Sequence, residues 1–136
     1  MEKIEHIGIA VRDSKSATEL FARLLGTEAY KSETVESEGV QTVFFMIGET
    51  KIELLSATRS DSPIAKFIEK KGEGIHHLAF QVNDISEKEK ELKEKGFEFA
   101  TGGIRRGADN KMITFLHPKS TQGVLVEICQ DLNNNK

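Results

Sequence analysis

Two histidines and two glutamates stand in stretches that otherwise read as apolar strands. They are His6 in HIGIAV (6–11), His77 in HLAFQV (77–82), Glu53 in IELL (52–55) and Glu127 in VEIC (126–129). Strand alternation puts His6 on one face with Gly8 and Ala10, and His77 with Ala79 and Gln81, so each imidazole has small neighbours and room beside its ring. Glu53 lies between Ile52 and Leu54, and Glu127 between Val126 and Ile128. An ionised carboxylate in a sheet core is costly to bury unless it is paired or bound to metal. Imidazole nitrogen and carboxylate oxygen together suit Zn²⁺, Co²⁺, Ni²⁺, Mn²⁺ or Fe²⁺. Such donors around an ion of octahedral habit would leave positions open for two oxygens of one substrate. Taken singly, a strand histidine is more often hydrogen-bonded structure, and a strand glutamate usually faces water. The joint pattern is what points to a metal.

The pattern is joint because the elements that carry it recur. Lys3 to Val11 alternates as a strand, and Asp13 or Ser14 then caps a helix with apolar positions Ala17, Leu20, Phe21, Leu24 and Leu25, closed by Gly26. Val40 to Ile47 and Lys51 to Ser56 read as strands joined by a tight turn at Gly48-Glu49-Thr50. Ser62-Pro63 opens a second helix, with Pro where its missing N–H costs nothing, and Gly72 ends it. Gly74 to Val82 is the next strand. Asp84 and Glu87 form a capping box for a third helix whose charged run EKEKELKEK (87–95) reads as a solvated face. Phe97 to Ala100, Lys111 to His117 and Gly123 to Gln130 complete the strands; residues 101–110 read as the longest loop and 131–136 as a polar tail.

His6 and His77 lie 71 residues apart, Gly26 and Gly96 lie 70 apart, and Glu53 and Glu127 lie 74 apart. The order strand, helix, three strands therefore occurs twice. A half of this size buries little surface alone, so the two halves are expected to share one sheet. If they curve into a common cup, His6, Glu53, His77 and Glu127 can meet on its floor as ligands of one divalent ion.

The bulk properties narrow the function further. A chain of 136 residues is one domain, 1–136, with module one at about 1–60, a linker helix at about 62–72 and module two at about 74–130. With 38% apolar and 30% charged residues it reads as globular, and a formal charge of −3 forecasts no basic surface for nucleic acid. A single cysteine points to a reducing compartment, hence a cytoplasmic protein. No apolar run approaches a membrane span, and the strand pattern starting near Met1 leaves no room for a signal peptide. Cys129 reads as a buried small side chain, His76 as structural or exposed, and His117, before Pro118, as a turn residue.

HIGIAV (6–11), TKIELL (50–55), DSPIAKFI (61–68), GIHHLAF (74–80) and FLHPKSTQGVLVEI (115–128) resemble, over nearly the whole chain, the vicinal-oxygen-chelate superfamily and, within it, the methylmalonyl-CoA epimerases. The resemblance implies an α+β fold of two tandem βαβββ modules forming a curved mixed sheet, a half-barrel cup with helices outside. It implies His6, Glu53, His77 and Glu127 as metal ligands, the position of Glu53 being Gln in some relatives. One divalent ion per site is then expected, Co²⁺ favoured, with Zn²⁺, Mn²⁺ and Ni²⁺ as alternatives. The implied activity is interconversion of (2R)- and (2S)-methylmalonyl-CoA by a homodimer, with Glu127 and Glu53 as acid/base groups. Arg105, Arg106, Lys111 and Lys119 are the expected partners of the CoA phosphates. Two departures stand out. Ser56-Ala57 replaces a Glu-Pro, and Gln41-Thr42 follows Glu38-Gly39-Val40 where some bacterial relatives carry a glutamate base. Glyoxalase I and a non-catalytic small-molecule binding protein are the competing functions on the same fold.

Overall fold

A computed structural model describes residues 1–132. Eight strands and three helices follow in the order β1 (Lys3–Ala10), α1 (Ser14–Leu25), β2 (Lys31–Val35), β3 (Val40–Ile47), β4 (Thr50–Ala57), α2 (Pro63–Lys71), β5 (Gly74–Gln81), α3 (Ile85–Glu94), β6 (Arg105–Gly107), β7 (Lys111–Phe115) and β8 (Val126–Asp131). Asp131 of the expected polar tail thus closes β8, and residues 133–136 lie outside the described residues. Two compact units emerge, residues 6–76 and residues 77–136 together with 1–5.

In the first unit β1 runs parallel to β4, β4 antiparallel to β3, and β3 antiparallel to β2. Alternation then dresses the two faces. Leu54 and Val11 go to a cluster with Val43 and Phe45, against Ala17, Phe21 and Leu25 of α1. Leu55 and Ala10 go to the opposite face, where Val40 and Ile64, Phe67 and Ile68 of α2 cover them. α1 starts where Asp13 accepts from the Lys15 N–H at 3.1 Å and stops at left-handed Gly26. Its Leu20 and Leu24, expected on the apolar face, are exposed at 48% and 68%. The seam is built at four-residue spacing by Ala17, Phe21 and Leu25, and these leucines fall one row beyond it. α2 is capped as its sequence dictates, Ser62 Oγ accepting from Ala65 N–H at 3.1 Å with Pro63 in the first turn.

The second unit repeats the plan: β5 parallel to β8, β8 antiparallel to β7, β7 antiparallel to β6. α3, capped by Asp84 through Glu87 N–H at 3.0 Å, buries Ile85 and Leu92 against Val82, Leu116, Val126 and Ile128. Its charged face is solvated as expected; Lys95, then Lys88, hold the exposed Glu91 carboxyl below the usual carboxylate range. The unit includes the chain's first residues: Glu2 N–H donates to Gln81 O at 2.8 Å, and Glu5 pairs with Lys111 at 3.4 Å.

Two elements differ from the sequence expectation. Lys31–Val35 forms β2, an edge strand of mixed exposure with none of the apolar alternation by which a strand announces itself. Residues 97–100, expected as a strand, contribute only the bridge Phe99–Leu116, because Phe97 and Phe99 turn into the α3 cluster. The fourth strand of the second unit is instead β6, inside the expected loop. There Gly107 packs so tightly that a Cβ would meet the Ile113 side chain at 2.8 Å.

Candidate active site

The first unit presents His6 and Glu53 as a pair. Parallel register sets Gly8 beside Glu53, and alternation places His6 on the same face, one step nearer the strand's start. The His6 Nδ1 to Glu53 Oε2 distance is 3.1 Å, with both side chains about nineteen-twentieths buried (5% and 6% exposed). Gly8, the register partner of Glu53, adds no side chain on that face. Across the sheet, Phe44 sits opposite Glu53 in the β3–β4 register and is fully buried. Tyr30 packs on Phe44 at 5.9 Å, and the Lys31 ammonium lies 5.3 Å from its ring centre.

The second unit builds the same constellation from its own strands. Ala79 is the register partner of Glu127, His77 lies two residues earlier, and His77 Nε2 stands 3.0 Å from Glu127 Oε1. Both side chains are 6% exposed. Phe115 is the antiparallel partner of Glu127, and its ring meets His77 edge-on at 5.8 Å. The Arg105 guanidinium carbon lies 5.5 Å over the same ring. Each unit therefore carries imidazole, carboxylate, phenyl ring and cation in one order. The rings and Lys31 were not among the expected site residues. Their signal is the strand register: β3–β4 and β7–β8 pairing sets each ring opposite its glutamate, and Lys31 joins Phe44 only through β2.

This donor chemistry fits a divalent ion. Each unit offers one imidazole nitrogen and one carboxylate oxygen, held face to face and away from bulk water, in the combination borderline metals prefer. Removing a carboxylate from water costs several kcal/mol, roughly, unless a positive charge or strong donors compensate it.

The four cations expected at phosphates fall in different surroundings. Arg105 donates from Nη1 to Gly103 O at 3.1 Å, and exposed Arg106 donates to Asn110 Oδ1 at 3.1 Å. Exposed Lys119 pairs with Glu98 at 3.0 Å. Lys111 is 4% exposed, and its ammonium is taken up by Glu5 and Asp131. Among the other polar residues, His76 packs edge-on against Phe67 at 4.9 Å, away from the pairs. His117 caps the short turn Pro118–Thr121 by accepting from Lys119 N–H at 3.1 Å, the turn role expected of it. Cys129 is fully buried, its thiol donating to Phe80 O at 3.6 Å. Thr42 is buried and Gln41 half-buried, and neither side chain is a base.

Known proteins place this architecture. The family described as the glyoxalase/bleomycin resistance protein/dioxygenase superfamily matches residues 5–115. The mitochondrial methylmalonyl-CoA epimerase of Homo sapiens is 37% identical over 129 residues, covering 94% of this chain and 73% of the human protein. The ethylmalonyl-CoA/methylmalonyl-CoA epimerase of Cereibacter sphaeroides is 38% identical over 130 residues, covering 94% of this chain and 97% of its own. Among solved structures, a variant of the Streptomyces coelicolor methylmalonyl-CoA epimerase in complex with 2-nitronate-propionyl-CoA superposes with a TM-score of 0.92. That chain is 34% identical, with 98% of this chain and 96% of that one covered. All three are epimerases, an isomerase class of enzyme, and the solved structure shares the fold of this chain. The chain belongs to the methylmalonyl-CoA epimerase family of the glyoxalase/bleomycin resistance protein/dioxygenase superfamily.

Proposed function

We propose that the protein interconverts (2R)- and (2S)-methylmalonyl-CoA by removing the proton between thioester and carboxylate and returning it on the opposite face. The observation that carries this reading is the duplicated buried pair, His6–Glu53 and His77–Glu127, in a chain whose relatives are epimerases. His6, Glu53, His77 and Glu127 hold one divalent ion, Co²⁺ favoured over Zn²⁺, Mn²⁺ and Ni²⁺. When bound, that ion supplies Lewis-acid stabilisation of the negative charge that develops on the thioester oxygen.

A carbon acid of this kind is far weaker than a carboxylic acid, and each unit of mismatch costs about 1.4 kcal/mol, so an isolated side-chain base would fail. Glu127 is the acid/base on one face of the carbon, and its burial beside Phe115 keeps competing water from the proton. Glu53, its repeat mate, serves the opposite face. His77 and His6 orient the two carboxylates through their short contacts. Arg105, Arg106 and Lys119 meet the CoA phosphates, whereas buried Lys111 is taken up by Glu5 and Asp131 instead. The exposed apolar side chains Leu20, Leu24, Met46 and Ile47 support assembly as a homodimer, and the single cysteine supports a reducing, cytoplasmic setting. No helix among the described residues is long and apolar enough to cross a membrane.

The test is incubation of the purified protein with (2S)-methylmalonyl-CoA in deuterated water, with bound metal measured on the same sample. Deuterium enters the α-position and the two epimers equilibrate; chelator treatment stops the exchange and added Co²⁺ restores it. A metal-loaded protein that leaves the α-proton untouched overturns the reading. Isomerisation of a glutathione thiohemiacetal by such a protein would put glyoxalase I chemistry in its place.

A further inference from the structure

The two phenylalanines that stand opposite the glutamates are not equally covered. Phe44, the register partner of Glu53, is 0% exposed. Phe115, the register partner of Glu127, is only half-buried. Its ring meets His77 edge-on at 5.8 Å, and the Arg105 guanidinium carbon lies 5.5 Å from its centre, yet the residue keeps part of its surface open to solvent. Two other neighbours of Glu127 offer no such surface. Ala79, across the parallel register, and Cys129, two residues along on the same strand face, are small and fully buried. Past Phe115 on β7, half-buried Ile113 pairs with Cys129 and continues the apolar strip. The second unit therefore sets one large, partly open apolar side chain directly beside its buried carboxylate.

We infer that Phe115 is the surface on which the alkyl branch of the acyl α-carbon rests, and that it sets the branch length this site accepts. The inference rests on the epimerase reading, with Glu127 as one acid/base, and names the acyl class that site selects. Proton transfer brings the reacting carbon to about 3 Å from the carboxylate oxygen. Side chains paired across an antiparallel ladder have Cβ atoms about 5 Å apart. A carbon that gives its proton to Glu127 therefore stands beside the Phe115 ring, and its alkyl branch lies one bond further out. A methyl group there gains contact with the ring. A longer branch must push against the ring or turn toward water, and one methylene in an apolar pocket discriminates about 10- to 200-fold. Shortening residue 115 opens the way along the strip to Ile113, where a longer branch finds apolar surface. Phe44 cannot do the same work in the first unit, because no part of it is open to a ligand.

The experiment measures binding of malonyl-CoA, methylmalonyl-CoA and ethylmalonyl-CoA to the metal-loaded full chain by calorimetry, with α-proton exchange of the two branched thioesters followed in deuterated water. In Phe115→Ala the affinity for ethylmalonyl-CoA relative to methylmalonyl-CoA rises by about 10-fold or more, while binding of unbranched malonyl-CoA stays within about 2-fold. Phe115→Leu, the milder change, moves the ratio the same way by a smaller factor. Circular dichroism and melting establish that each variant is folded. Phe44→Leu lowers the melting temperature and leaves the ratio where it was. An unchanged ratio in both Phe115 variants would overturn the inference, as would an equal loss for all three thioesters or an equal shift in Phe44→Leu. A wild type that binds the three thioesters yet exchanges no α-proton would sink the epimerase reading; the shifted binding ratio would still assign Phe115 to the branch.

Discussion

The two units carry one motif and hold its cation in different ways. In residues 6–76 the cation is Lys31, on a five-residue edge strand, balanced by Glu33 two positions along. In the second unit it is Arg105, on a three-residue strand, donating to the Gly103 carbonyl at 3.1 Å and lying over the Phe115 ring. The helices differ too. The first unit has α2 over the face that also bears His6 and Glu53, packed on Ala10 and Leu55. The corresponding stretch after β8 is Leu132 and the residues beyond it, and among the described residues no helix follows β8. A duplicated plan can thus keep its donor pair while the periphery diverges.

The sharpest way to break the comparison is to remove one carboxylate at a time. Glu127→Gln should lower α-proton exchange by roughly 100- to 10,000-fold, the range of a positioned acid/base. Glu53→Gln should lose less, because an amide oxygen still serves as a ligand. Deuterium incorporation and metal content, measured together on both variants, separate lost chemistry from lost metal; equal losses would mean that the two units do the same work. The buried and exposed lysines give the next contrast. Lys111→Met removes the buried ammonium that Glu5 and Asp131 share and should destabilise the protein by about 3–5 kcal/mol in urea unfolding. Lys31→Met removes a half-exposed pair and should cost no more than about 1 kcal/mol in the same experiment.

Smaller effects test the second unit alone. Thr114 is fully buried and, among the described residues, its hydroxyl has no hydrogen-bond partner. Thr114→Val should therefore raise stability by up to about 1 kcal/mol, read as a later urea midpoint with unchanged slope. Smallest is Glu91. Its carboxyl titrates lower in the folded protein than in the unfolded chain because Lys95 and Lys88 surround it. It thus adds stability above the usual carboxylate range, and that increment fades as pH falls through the folded value. The melting temperatures of wild type and Glu91→Gln should differ barely at neutral pH and coincide in acid.

The helices were legible because their signals are local. Asp13, Ser62 and Asp84 each cap the helix the sequence assigns them, and Gly26 stops the first in the left-handed conformation. The donor pairs were legible because His6, Glu53, His77 and Glu127 break apolar strands at repeat-related positions. What stayed hidden depends on packing between strands. β2 is an edge with little to bury, so its periodicity is mute. Phe97 and Phe99 looked like a strand face, yet their rings joined the α3 cluster. Lys111 read as a surface cation, since nothing near it in sequence announces that Glu5 will meet it. Phe44 and Phe115 gain meaning only as register partners of the two glutamates.

Because the first five residues belong with the later half of the chain, the gene cannot be cut cleanly at its duplication point. A fragment ending before Gly74 would carry off Glu2 and Glu5, taking from Gln81 the Glu2 N–H and from Lys111 the Glu5 carboxylate. The later piece alone would lack contacts that its own unit draws from the start of the chain, whereas the earlier piece would keep residues 6–73 of the other unit together.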